Sequence, residues 1–421
     1  MTVGVFTIKL HMGGTERVIA KLSTLWKGFG CDTVFCTGLP ISEEEFPHAN
    51  IAREVMPSGG WTEETVSFII EKYRFDVAVI NGGWNDIFIP SVVRALRKYG
   101  VPVVVVLHHS FDNWLFYQSN YQDYDKDELL PIIDCIVCVD NMQALWWSRR
   151  HSSVLVIPNP VVATSITKSV ADTGHRNLIW VGRPDDRGKR VEMALAAFTA
   201  IFEMLEDDEA IPNLLIVGGI KDEQRKRLLE MLPSEVAGHV DFTGYVSGTA
   251  EILKKAHVNL ITSNWESAVP QVVLEAMNAG IPTVAIDLPV FRQVSGEKGG
   301  VTIAKDEWSM AESVLGLLRD EAHWERMSKY GLSVVRLCHN DSGVSARWKE
   351  LFEALQCGSV DNLVSMRKVE YDFVETYKSV IDEVQRSERF FVEHNLPELF
   401  FLRKWKCRLR KLLRLCTFGR V

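Results

Sequence analysis

Short, apolar, β-rich runs return along this chain with helix-length stretches between them, and that alternation is the signature of a parallel sheet wrapped by helices. It occurs twice. The first set is Val3 to Ile8, Asp32 to Thr37, Asp76 to Asn81, Pro102 to Leu107, Cys135 to Val139 and Val154 to Ile157. Several of these are near-continuous hydrophobics, as in strands covered on both faces. The turn Pro158-Asn159-Pro160 then breaks the chain, and a polar segment to about Arg176 reads as a linker. The second set is Asn177 to Val181, Asn213 to Val217, His239 to Phe242, Val258 to Thr262 and Pro282 to Ile286. The expected architecture is α/β, with two Rossmann-like domains over 1–165 and 175–340 whose parallel sheets face a cleft, and a helical extension over 341–421.

Length and composition agree with this. At 421 residues the chain suits two ordinary domains and an appendage. With 47% hydrophobic and 24% charged residues, and no low-complexity tract, it is globular in composition. Apolar stretches such as Val101 to Leu107 fall far short of the roughly 20 residues that cross a bilayer, so no span is expected. Met1 to Leu10 lacks a secretory pattern, which places the chain in the cytosol as an expectation, with reduced cysteines. Of the eight cysteines, Cys135 and Cys138 are close but lie three apart in a strand, on opposite faces. With no second pair to complete a zinc site they read as core residues.

A net charge of -8 argues against a general nucleic-acid binder. The tail departs from that balance. From Phe401 to Val421 there is no acid, while Arg403, Lys404, Lys406, Arg408, Arg410, Lys411, Arg414 and Arg420 are basic. Leu402, Trp405, Leu409, Leu412 and Cys416 step by three or four and form one apolar stripe. Such a helix, over residues 400–416, lies in an anionic membrane surface or docks on the protein's own acidic surface. The first alternative makes the protein peripheral at the inner face of the membrane and fits a lipid-linked acceptor.

Three segments carry chemistry. His11-Met-Gly13-Gly14-Thr15-Glu16-Arg17 joins the first strand to its helix, and glycines there let backbone amides approach a phosphate or sugar. A tight turn capped by Thr15 is the plainer reading of the same residues. The second segment, Trp180-Val-Gly182-Arg183-Pro-Asp-Asp-Arg187-Gly-Lys189-Arg190, ends a strand and presents two cations, Arg183 and Lys189, at the start of a helix. Fixed cations can stabilise a departing diphosphate without a metal. The third runs from Ser263 through Glu266, Pro270 and Glu275 to Gly280. Pro270 is placed to start a helix and Gly280 to end it, so Glu266 lies on a loop and Glu275 within the helix. Carboxylates accept from vicinal hydroxyls, and these two would read different sugars.

Taken in order, the Gly-Gly-x-Glu-Arg loop, a strand ending in His108, the Ile157-Pro-Asn159 turn, the Arg183 and Lys189 pair, Val217-Gly-Gly219, Phe242-Thr-Gly244 and the acidic helix segment resemble the family 4 (group 1) retaining glycosyltransferases of GT-B fold. The resemblance spans roughly Val3 to Leu355. It implies a metal-independent enzyme with no bound cofactor, moving a sugar from a UDP- or GDP-sugar to an acceptor hydroxyl in glycan or lipid-linked saccharide synthesis. Arg183 and Lys189 would hold the donor diphosphate, Glu275 the ribose and Glu266 the transferred sugar. Gly13, Gly14 and Gly219 would line the donor, and His108, rather than His109, would stand near the reacting centre. Two departures stand out. Glu266 and Glu275 are nine positions apart where eight is usual, and Asp287-Leu-Pro-Val-Phe-Arg-Gln293 lacks the frequent Gly-Gly and has Gln where Glu is common. The competing readings are a nucleotide-sugar epimerase, a catalytically inactive nucleotide-sugar-binding subunit, and a metal-dependent GT-A transferase using Asp123-Tyr-Asp125. The last needs a single sheet.

Overall fold

The computed structural model describes residues 1–7, 13–38, 52–55, 60–82, 89–108, 129–148, 150–162, 176–246, 248–264, 266, 268–292, 294–295 and 300–366. His109, the Asp123 to Asp125 pair, most of the expected linker, Gln293 and the basic tail lie outside them.

The chain divides into two compact units. The first comprises Met1–Ile157 with Ser345–Val421, and the second Pro158–Val344. The break falls at the start of the Pro-Asn-Pro turn, between Ile157 and Pro158. Residues on its far side are tied into the second unit: Gln271 Nε2 donates to the Pro160 carbonyl at 2.9 Å, and His339 Nδ1 to that of Asn159 at 2.7 Å.

The first sheet contains β1 (Thr2–Thr7), β2 (Asp32–Thr37), β3 (Ala52–Val55), β4 (Val77–Asn81), β5 (Val103–Leu107), β6 (Cys135–Cys138) and β7 (Val154–Val156). All its pairings are parallel, in the order β3-β2-β1-β4-β5-β6-β7. β4 and β5 are buried along their whole length. That explains their unbroken Val, Ile and Leu content, because helices cover both faces of a parallel sheet. Cys135 and Cys138 are buried free thiols whose pKa values burial pushes up, as core cysteines should be.

The second sheet contains β8 (Asn177–Val181), β9 (Asn213–Val217), β10 (Val240–Gly244), β11 (Ala256–Ile261), β12 (Thr283–Ile286) and β13 (Val301–Ala304). It is again parallel, in the order β10-β9-β8-β11-β12-β13. Two strands, β3 and β13, go beyond the sequence-based expectation. Ala52-Arg-Glu-Val55 is short, charged and on a sheet edge, so it carries little hydrophobic signal.

From Ser345 the helical stretch belongs to the first unit. In the helix Asp341–Gln356, Trp348 and Phe352 are fully buried and meet Trp26 of the helix Gly14–Lys27 edge-on, with ring centroids 5.0 and 5.3 Å apart. Each such aromatic pair adds about 0.5–1.5 kcal/mol beyond its buried area. These helices therefore complete the core of the first unit. No described helix is long and apolar enough to cross a membrane.

Candidate functional site

In an open parallel sheet, ligands bind outside the carboxyl ends of the strands where the strand order reverses. In the second sheet that point lies between β8 and β11. The loops leaving these two strands are Gly182 to Arg190 and Thr262 to Pro270, which hold three of the candidate residues.

The two loops are knitted together. Asn264 N donates to the Gly188 carbonyl at 2.9 Å, and Arg190 Nη1 to Asn264 Oδ1 at 3.0 Å. Thr262 Oγ1 accepts from Trp180 Nε1 at 2.9 Å and lies 2.8 Å from the carbonyl oxygens of both Lys189 and Arg190. Arg190 adopts a left-handed conformation (φ 51°) that turns the chain into the helix Val191–Met204. The Lys189 backbone is thus fixed before its side chain is considered, its N–H donating to the Asp186 carbonyl at 2.9 Å and its carbonyl facing the Thr262 hydroxyl.

That side chain reaches Glu266. Lys189 Nζ donates to Glu266 Oε1 at 2.5 Å, with the two side chains 30% and 13% exposed. The loop keeps Glu266 beside Lys189 despite the nine-residue spacing to Glu275. Arg183 is held differently. Its Nη2 bonds Asp186 Oδ2 within the same loop, and its side chain is 77% exposed. The two cations therefore have different acid partners in the free protein. Asp186 also accepts from Gly188 N at 2.8 Å, which folds the loop back on itself.

Glu275 lies in the helix Gln271–Asn278 with Pro270 at its N-cap, and Gly280 (φ 73°) follows its end, as expected for a left-handed stop. Glu275 is buried and accepts from Thr249 Oγ1. Gly218 (φ 153°) stands where a Cβ would fall on the Gly182 carbonyl oxygen, so the ends of β8 and β9 approach closely only because this residue is glycine. A Gly218→Ala variant is expected to lose about 1–3 kcal/mol of stability through this strain, read as a lowered unfolding midpoint in urea. Gly219, by contrast, has no atom of the described residues, its chain neighbours apart, within 4 Å of its Cβ position.

In the first unit the equivalent reversal lies between β1 and β4. Gly13 is the N-cap of the helix Gly14–Lys27, so the turn is capped by glycine backbone, and Thr15 sits inside the first turn instead. Among the described residues, no atom beyond its own helix turn and chain neighbours lies within 4 Å of a Cβ at Gly14. His108 follows β5 and is 6% exposed, and its Nε2 donates to Asn81 Oδ1 at 2.7 Å. Asn81, itself buried, ends the neighbouring β4, and its Nδ2 has no hydrogen-bond partner among the described residues. A polar residue closing an apolar run is the same signal that singled out His108, so Asn81 was legible by the same argument. Thr249 and Thr262 carried no such mark. Among the described residues no cluster of His, Cys, Asp or Glu is arranged to hold a metal ion.

Residues 12–164 match the model of Glycosyltransferase Family 4, and residues 175–320 that of the group 1 glycosyl transferases. A phosphatidyl-myo-inositol mannosyltransferase of Mycolicibacterium smegmatis is 30% identical over 357 residues, covering 77% of this chain and 88% of that protein. The Mycobacterium leprae protein of that name is 30% identical over 253 residues, 58% of this chain and 64% of its own length. Among solved structures, Anabaena HepE in complex with UDP and glucose matches with a TM-score of 0.67 at 12% identity, over 84% of this chain and all of that one. Sucrose-phosphate synthase from Thermosynechococcus elongatus matches with a TM-score of 0.64 at 17% identity, over 85% of this chain and all of that one. With strand orders, site loops and relatives in agreement, the chain belongs to the family 4, group 1 glycosyltransferases, and its two Rossmann-like units are those of the GT-B fold.

Proposed function

We propose that this protein transfers a hexose or related sugar from a UDP- or GDP-sugar to a hydroxyl of a lipid-linked or glycan acceptor, with retained anomeric configuration and no metal. The observation that carries the reading is the contact between Lys189 and Glu266 at the strand-order reversal of the second sheet. It sets a cation and a sugar-reading carboxylate side by side where a ligand of an open parallel sheet binds. The names of the relatives, which act on phosphatidyl-myo-inositol, support a lipid-linked acceptor, and the UDP and glucose bound to HepE support the donor class.

In the proposed reaction the bond between the anomeric carbon and the diphosphate oxygen breaks, and its electron pair leaves with the diphosphate. Lys189 and Arg183 bear the charge that grows there. The acceptor oxygen bonds the anomeric carbon and its proton passes to the departing phosphate oxygen. Glu266 accepts from hydroxyls of the transferred sugar, and Glu275 from the ribose. His108, oriented by Asn81, lies on the acceptor-side unit. Exclusion of water keeps hydrolysis from competing.

Thermal-shift screening of the protein against UDP- and GDP-sugars identifies the donor, since a ligand of the folded form raises the melting temperature. Turnover of that donor with acceptor is expected to survive EDTA within about twofold, on the argument that fixed cations stabilise the leaving group. Loss of turnover on chelation, restored by a divalent ion, would rule out the metal-free reading. Conversion of the donor with no acceptor present would make the protein an epimerase, and binding without conversion an inactive subunit.

A further inference from the structure

Trp180, on β8, lies in the core of the second unit at 2% exposure, where its indole N–H needs an acceptor. Nε1 donates to Thr262 Oγ1 at 2.9 Å, across 82 residues of chain. The register pairs Trp180 with Leu260, which brings Thr262, two residues further along, within reach of the indole. A hydroxyl that accepts from the indole still has its own proton to give. Thr262 is fully buried and lies 2.8 Å from the carbonyl oxygens of both Lys189 and Arg190, so the proton goes to that pair. Arg190 is the left-handed residue that turns the chain into its helix, a conformation that a non-glycine residue keeps only when its surroundings hold it. The other end of the loop meets the same ring. A Cβ at Gly182 would fall 2.9 Å from Trp180 Cη2 and 3.2 Å from Cζ2, so the chain leaves β8 lying against the indole.

We propose that Trp180 is a positioning residue for recognition of the donor diphosphate: its N–H, through the Thr262 hydroxyl, holds the Lys189–Arg190 turn, and its ring sets where the same loop departs at Gly182. One buried side chain thereby supports both ends of the segment that carries Arg183 and Lys189. With the ends fixed, less ordering of the loop is left for the ligand to impose. An aromatic residue that merely filled the core would need the ring but not the N–H, and that difference separates the two roles. This inference rests on the assignment of Lys189 to the diphosphate.

The test uses the full chain and whichever of UDP and GDP raises its melting temperature more, with the corresponding monophosphate, measured by calorimetry. The wild type is expected to prefer the diphosphate by about tenfold or more, the worth of one hydrogen bond to a charged group. Trp180→Phe, which keeps a ring and drops the N–H, should lose most of that preference while binding the monophosphate within about twofold of wild type. Thr262→Val should do the same, and Thr262→Ser, which keeps the hydroxyl, should recover the preference. Because the two residues act in one chain of bonds, Trp180→Phe with Thr262→Val should be no worse than either alone. In a Lys189→Ala background, Trp180→Phe should cost nothing further. A Trp180→Phe variant that melts lower yet keeps the wild-type preference would overturn the proposal and leave a packing residue, as would a further loss in the Lys189→Ala background. If Trp180→Phe does not fold, the contrast between Thr262→Val and Thr262→Ser decides, and equal preference in those two overturns the proposal. Lys189→Ala by itself separates the two layers. If it abolishes the preference while Trp180→Phe and Thr262→Val keep it, only the role of Trp180 falls. If it too leaves the preference intact, or if no nucleoside diphosphate binds, the assignment of Lys189 fails and this inference with it.

Discussion

Replacing Lys189 with alanine is expected to lower turnover about 10²- to 10³-fold, the scale seen when one preorganised charge-stabilising donor is removed from an active site. The expectation follows from how the residue is held. Its backbone is clamped by Thr262 and by the neighbouring Asn264 bond to Gly188, so the ammonium position is set before ligand arrives. A group oriented in advance acts on charge as it develops, without reorganising at that moment. Truncation also leaves Glu266, 13% exposed, without its cation. That costs about 1–3 kcal/mol of stability, so rates are compared well below the melting transition. Turnover within a few-fold of wild type, in protein with native circular dichroism, would remove Lys189 from the mechanism.

Glu266→Gln has the second largest expected effect, and its two readouts should move in opposite directions. In the free protein Glu266 already holds the ammonium of Lys189. At the proposed donor site a diphosphate must therefore compete with a carboxylate for the same cation and approach a like charge. Removing that charge while keeping the shape is expected to tighten binding of the nucleoside diphosphate about three- to tenfold. Turnover should nevertheless fall about 10- to 100-fold, because hydrogen bonds from sugar hydroxyls to a charged acceptor are worth about 1.5–3 kcal/mol each. Calorimetry with UDP and GDP gives the first quantity and initial rates the second. Weaker diphosphate binding in this variant would mean that the ion pair does not stand in the ligand's way.

The fold was legible because its signals are local. β2, β8 and β9 begin and end where the sequence pattern puts them, and most other expected strands differ at their ends by one or two residues. Burial on both faces of a parallel sheet writes itself as an unbroken apolar run. Gly280 at the end of its helix and Pro270 at its start are equally local, since each acts through the conformation of a single residue. β3 was not legible, because a short edge strand buries too little to need an apolar composition. The helices from Ser345 carried a helical pattern, but nothing in it said that Trp348 and Phe352 would close over Trp26.

The site divides along the same line. The sequence by itself determined which residue types stand at the strand ends: a histidine after β5, cations after β8, and two carboxylates around the turn that follows β11. Partner choice was decided only by the tertiary structure. Glu266 and Lys189 are 77 residues apart and meet because β8 and β11 lie side by side in the sheet. Arg183, in the same loop as Lys189, pairs instead with Asp186, and Thr249 gives its hydroxyl to Glu275 in place of its own helix. Strand adjacency and the packing of helices across it bring distant residues within hydrogen-bonding range. Spacing along the chain cannot encode that, because every such contact depends on how the rest of the sheet has been ordered.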